Sequence, residues 1–147
     1  MVPVVHTIEL NNEYFVTAVA TLHKRTNVTC HKGNSPEVLG RILPSIQQPI
    51  LAFLDAHWND YFPLRDEILT FAKYSIHPVF VIHDCLVPGR LDLGYDTYHG
   101  NPISYNYIQQ LLENVYGKTD KYHVCYNDHA TGAKRGIMYI EPVKINI

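Results

Sequence analysis

Two short apolar runs, each ending abruptly in an acid and an imidazole, restrict the folds open to this chain more than any other feature. Ile50-Leu51-Ala52-Phe53-Leu54 runs into Asp55, Ala56, His57 and Trp58, and Val79-Phe80-Val81-Ile82 runs into His83 and Asp84. Runs of this length, rich in β-branched and aromatic residues, predict strands buried on both faces. Such strands belong to parallel sheets, whose ligands sit just beyond the carboxyl ends of the strands. Both runs turn from apolar to Asp/His at that end, so chemistry is expected there.

The rest of the chain supplies the elements a parallel sheet needs. Val4 to Glu9 reads as a first strand, and Asn11 or Asn12 can cap a following helix with Phe15, Val16, Val19 and Leu22 at helical spacing. Val28 to His31 reads as a second strand. Lys32-Gly33-Asn34 is a polar turn, and Ser35-Pro36-Glu37 reads as a helix start with a capping hydroxyl. Pro63 opens a helix over Leu64 to Phe71. Tyr105 to Tyr116 is a helix stopped by Gly117, and Tyr122 to Tyr126 with Ile137 to Glu141 form an antiparallel pair. Between them, Asp84 to Pro102 is a long segment with Pro88, Gly89, Gly94 and Gly100, of the kind that is usually functional. Strands alternating with helix-length crossovers predict an α/β three-layer sandwich, its sheet mainly parallel and covered by helices on both faces.

At 147 residues the chain is expected to form a single domain, 1–147. A net charge of -2 without a Lys/Arg cluster argues against nucleic acid or an acidic membrane surface as partner. No apolar run is long enough to span a bilayer, and no secretory leader is recognisable, so a cytoplasmic setting is expected. Cys30 and Cys125 lie in apolar runs and read as small core residues; Cys85, next to the strand end, reads as partly exposed.

If the strands are parallel, Glu9, the Gly33-Asn34-Ser35 turn, Asp55 with His57, and His83 with Asp84 all fall on one edge of the sheet. Two carboxylates and two imidazoles can hold a divalent ion, with Asp55 and Asp84 as oxygen ligands suited to magnesium or manganese. They can supply a general base, His57 or His83, tuned by a neighbouring carboxylate. They can also pair with one another. No zinc or serine-hydrolase motif is present, and Gly117-Lys118-Thr119 follows a helix and lacks the upstream glycine of a phosphate loop.

Ile50–Trp58 with Pro63-Leu64, Val79–Asp84, and Val87-Pro88-Gly89 followed by Leu93-Gly94-Tyr95-Asp96 resemble a bacterial group of class I S-adenosylmethionine-dependent methyltransferase-like proteins. That group includes sugar and antibiotic O-methyltransferases and cephalosporin-hydroxylase-like proteins. The resemblance implies a Rossmann-like fold, with Glu9 at the cofactor ribose and Asn34 and Ser35 at the adenine. It places Asp55 and His57 near the methionine part and the reacting centre, and Asp55 and Asp84 at the metal of metal-dependent members. The family's first strand and glycine-rich loop would precede Val4, where this sequence has Met1-Val2-Pro3. The expected fold therefore lacks the first strand-helix unit and is N-terminally truncated relative to the family. An exposed strand edge left in this way would favour a homo-oligomer.

The function the resemblance implies is S-adenosylmethionine-dependent O-methyl transfer to a small hydroxylated acceptor, with or without magnesium or manganese. His57, Asp55 and Asp84 are the expected catalytic residues, Glu9, Asn34, Ser35 and Asp55 the cofactor-binding set, and Tyr95 and Tyr98 a lid over the acceptor. Two other readings remain open: a non-catalytic binding or assembly module of the same fold, and a metal-dependent hydrolase using Asp55, His57, His83 and Asp84.

Overall fold

The structure, a computed structural model, describes residues 4–57 and 60–143. Trp58, at the end of the first apolar run, lies outside the described residues. The chain divides into two compact units, Met1–Ile46 and Gln47–Ile147.

The smaller unit contains β1 (Val5–Glu9), α1 (Asn12–Leu22), β2 (Val28–Lys32) and α2 (Ser35–Ile42). β1 and β2 are parallel, with Val5 opposite Val28 and Glu9 opposite Lys32, so both strands end on the same side. The Asn11 side chain caps α1 by accepting from the backbone N–H groups of Glu13 and Tyr14. α2 begins one residue earlier than Ser35-Pro36 suggests. Its cap is Asn34, whose carbonyl accepts from Val38 N–H at 3.0 Å, and Ser35 is already helical. Proline fits either of the first two helical positions, because neither N–H has an intrahelical acceptor, so its presence does not choose between the two frames. Among the described residues of this unit, Val38, Leu39 and Leu43 are the buried apolar ones.

The larger unit contains β3 (Leu51–Leu54), α3 (Leu64–Lys73), β4 (Val79–His83), a short hairpin of β5 (Thr97–Tyr98) and β6 (Asn101–Pro102), α4 (Tyr105–Tyr116), β7 (Tyr122–Asn127) and β8 (Ile137–Pro142). Its main sheet has the order β3-β4-β8-β7. β3 and β4 are parallel, as their apolar character and the intervening helix require, and β8 runs antiparallel to both β4 and β7. Ser104 caps α4, and Gly117 closes it at φ 92°, a conformation costly for a residue with a Cβ.

The core of this unit lies on the face of β4 that carries Phe80 and Ile82, together with Met138 and Ile140 of β8. Phe71 of α3 meets Phe80 edge-on at 5.2 Å, and Tyr116 of α4 packs on the same ring. The Tyr116 hydroxyl donates to the Pro78 carbonyl at 2.6 Å, so its polar tip is satisfied inside the core. Each such large apolar side chain contributes about 1.5–3 kcal/mol by leaving water.

Two expectations change. β3 is not covered on both faces: Leu51 and Phe53 are 67% and 57% exposed. Alternate residues of a strand face opposite ways, and an apolar residue looks the same in sequence whether or not its face is covered. The cysteines also exchange roles. Cys85 is fully buried and its thiol is pushed up to about 12, first by that burial, whereas Cys125 is exposed and Cys30 half-buried. Cys125 and His123 alternate with Tyr122 and Val124 and take the outer face of β7, a strand at the end of the sheet order. Cys85 instead lies beneath Gly136, where its N–H donates to the Gly136 carbonyl at 3.1 Å.

Candidate functional site

The parallel pairing of β3 and β4 brings their carboxyl ends side by side. Asp55 follows β3 directly, His83 is the last residue of β4, and Asp84 comes next. His83 Nδ1 lies 3.1 Å from Asp55 Oδ1 and 3.2 Å from Asp84 Oδ1. Carboxylates only accept, so Nδ1 is the donating nitrogen of this contact. His57, the other candidate imidazole, is exposed on the turn beyond Asp55 and does not belong to this group.

Asp84 departs from β4 with φ 57°, in the left-handed region where aspartate is among the few tolerated side chains. That conformation turns the chain inward. Asp96 N–H donates to the Asp84 carbonyl at 2.9 Å, Ile103 N–H to the Asp96 carbonyl at 2.9 Å, and Leu86 N–H to the Ile103 carbonyl at 2.7 Å. The long segment after β4 is thus pinned along its length, with Val87, Leu93 and Ile103 buried and the β5–β6 hairpin at its tip. Tyr95 is exposed, and Tyr98 stacks against Phe62 and His99.

A residue absent from the sequence reading completes the cluster. Arg135, just before β8, donates from Nε to Asp84 Oδ1 and from Nη2 to Asp96 Oδ1. Hydrogen bonding to Asp84 raises the Arg135 pKa further above its ordinary value, so the guanidinium stays charged. Arg135 sits in a turn whose sequence advertised only Asn, Asp and Gly. The available signal was Asp96 itself, a third acid without an assigned counter-charge.

Asp55, His83 and Asp84 each offer one ligand atom, all within 4.8 Å of one another. The set does not fit magnesium or manganese as it stands. Asp84 Oδ1 is already bonded to a guanidinium. A dication roughly 4 Å from that unit charge would feel a repulsion of about 8 kcal/mol at an effective dielectric near 20, set against its attraction to the carboxylates.

In the smaller unit, parallel pairing likewise joins Glu9 to the turn after β2: Gly33 N–H donates to the Glu9 carbonyl at 3.0 Å. The Glu9 carboxylate accepts from Asn11 N–H at 2.7 Å through one oxygen. The Asn34 side chain makes no capping bond, and Ser35 Oγ is buried without a hydrogen-bond partner. A buried hydroxyl with no partner is costly, and a polar ligand at the α2 end would satisfy it. Glu9, Asn34 and Ser35 therefore fit a nucleoside in donor and acceptor type.

His6 and His31 form the other titratable pair of this unit, with Nδ1 and Nε2 2.9 Å apart. Burial first, then the charges of His6 and Arg41, lowers the His31 pKa from the ordinary 6.5. Below that value the unfolded chain binds more protons than the folded one, so stability falls as pH drops through this window. Thermal melts at pH 7.5 and 5.5 are expected to show a larger loss for the native chain than for His31→Gln. Equal losses in the two proteins would contradict it.

No protein-family model matches the chain, and no curated protein matches it. Among solved structures, a Klebsiella pneumoniae protein described as a "putative O-methyltransferase" aligns with TM-score 0.53 and 18% identity, over 93% of this chain and 60% of that one. A Clostridium thermocellum protein described as a "putative rRNA-methylase" aligns at TM-score 0.48 and 12% identity, over 96% of this chain and 73% of that one. The first likeness shows a Rossmann-like α/β fold of the methyltransferase type; the chain spans 60% of that protein's length. Among the described residues, no helix is long and apolar enough to cross a membrane.

Proposed function

We propose that the chain is an S-adenosylmethionine-dependent O-methyltransferase acting on a small hydroxylated acceptor. The observation that carries this reading is His83, held by Asp55 and Asp84 at the carboxyl ends of two parallel strands in a methyltransferase-type fold. When bound, S-adenosylmethionine supplies an electrophilic methyl group on a sulfonium.

Everything else falls to side chains of this chain. In the smaller unit, Glu9 would accept hydrogen bonds from the ribose hydroxyls with the oxygen not used by Asn11, and Asn34 and Ser35 would hold the adenine. Asp55 holds the His83 ring through Nδ1–H with Asp84 Oδ1 alongside, so that Nε2 would take the acceptor hydroxyl's proton as the methyl group passes to that oxygen and the thioether leaves. The two carboxylates then stabilise the imidazolium that forms. His57, exposed on the turn beyond Asp55, is assigned to the acceptor side, with Tyr95 and Tyr98 selecting its shape. No metal takes part in this scheme, because Arg135 already neutralises Asp84.

Calorimetric titration of the purified chain with S-adenosylhomocysteine tests the reading. Binding of about micromolar strength, near -8 kcal/mol, is expected, and it should weaken at least about tenfold in Ser35→Val, which leaves the ligand's polar group unpaired. No heat of binding would overturn the methyltransferase reading in favour of a binding or assembly module of the same fold.

A further inference from the structure

The strand-end cluster contains its own cation. Arg135 is clasped by backbone on both sides: Gly94 N–H donates to the Lys134 carbonyl at 2.7 Å, and Gly136 N–H donates to the Gly94 carbonyl at 2.9 Å. Lys134, at φ 51°, makes the turn that aims the next residue inward. A Cβ on Gly94 would lie 2.9 Å from Arg135 Nη1 and 3.2 Å from its Cδ, so the guanidinium lies in space that a side chain at position 94 would take. From there it bonds both Asp84 and Asp96. The Asp84 oxygen it holds is the one facing His83 Nδ1, which in turn faces Asp55. Three carboxylates, one imidazole and one guanidinium thus form a continuous chain of contacts.

We propose that Arg135 is the resident counter-cation of this cluster and closes it to divalent metal. With Arg135 in place, a metal ion entering between Asp55 and Asp84 meets a fixed positive charge and finds one ligand oxygen already bonded. Without it, Asp84 and Asp96 lose their counter-charge, and Asp55, His83 and Asp84 become an open ligand set of two carboxylates and one imidazole, a mixture that suits manganese. The same arginine is a positioning residue, because it fixes the second carboxylate that lies against His83 Nδ1. The proposal does not depend on methyl transfer, and homocysteine-analogue binding, read separately, can fail without affecting it.

Manganese binding is read from the loss of the free Mn(II) electron paramagnetic resonance signal. The purified native chain, Arg135→Gln, Arg135→Lys, Gly94→Ala and the double variant Arg135→Gln/Asp55→Asn are compared, with circular dichroism as the check on folding. Removing a like charge in direct contact should tighten binding by about tenfold or more in Arg135→Gln. Arg135→Lys keeps the charge and should exclude manganese as the native chain does. Gly94→Ala crowds the guanidinium out of its cradle and should gain affinity even if Arg135→Gln fails to fold. Adding Asp55→Asn should abolish the gain. Equal affinity in the native chain and in a folded Arg135→Gln or Gly94→Ala would overturn the proposal, as would a gain that survives Asp55→Asn.

Discussion

Replacing Gly136 by alanine is expected to cost about 3 kcal/mol of stability, the upper end of what overpacking usually costs. A Cβ at this position would lie 1.9 Å from the Cys85 carbonyl oxygen and 2.9 Å from a Val87 methyl. The first of these atoms belongs to backbone, so no rotamer change relieves the clash. Cys85 cannot retreat, because it is fully buried and its N–H is bonded to the Gly136 carbonyl. Relief requires β8 to move away from the chain leaving β4, which breaks the clasp around Arg135 as well. Set against a total stability of about 5–15 kcal/mol for a domain, the loss should move the urea midpoint far enough to measure easily. An unchanged midpoint would show that this close approach does not hold in solution.

The largest effect on activity is expected at His83. His83→Gln should lower kcat by about 10²–10⁴-fold, the usual contribution of a positioned general base. Glutamine can still donate to Asp55 and Asp84, so the carboxylates remain partnered and the fold should survive. S-adenosylhomocysteine affinity should change little, because Glu9, Asn34 and Ser35, proposed for the nucleoside, belong to other elements. Asp55→Asn should also abolish turnover with the fold intact, since Asp55 is exposed and its role is electrostatic. Retained turnover in His83→Gln would remove this residue from proton transfer and turn attention to His57.

Several features of the fold were legible because they depend on local chemistry. The parallel pairing of β3 and β4 follows from two uninterrupted apolar runs separated by a helix, and the β7–β8 pair from two runs joined by turn residues. Gly117 ends α4 because a left-handed cap favours glycine, and Asn11 caps α1 because its short side chain reaches two backbone N–H groups. The frame of α2 is not legible to the residue, since Asn34 and Ser35 are both good caps and the sequence offers no means to rank them.

The site was legible only in outline. That Asp55, His83 and Asp84 lie at strand ends follows from where apolar runs stop, because a charged side chain leaves a covered sheet at its edge. Which imidazole joins the carboxylates does not follow. His57 and His83 are equally plausible by spacing, and only the register of β3 against β4 puts Asp55 beside His83.

By itself, then, the sequence determined the order of the main strands and helices, though not the β5–β6 hairpin, the direction of the β3–β4 and β7–β8 pairings, and the polar ends where a ligand could be met. Each of these rests on interactions between residues near one another in the chain or on the period of its apolar pattern. Tertiary structure alone decided that Arg135 neutralises Asp84 and Asp96, that Cys85 is buried and Cys125 exposed, and that Gly136 must lack a side chain. Those outcomes depend on contacts between residues tens of positions apart, where nothing in the local pattern records which partner will arrive.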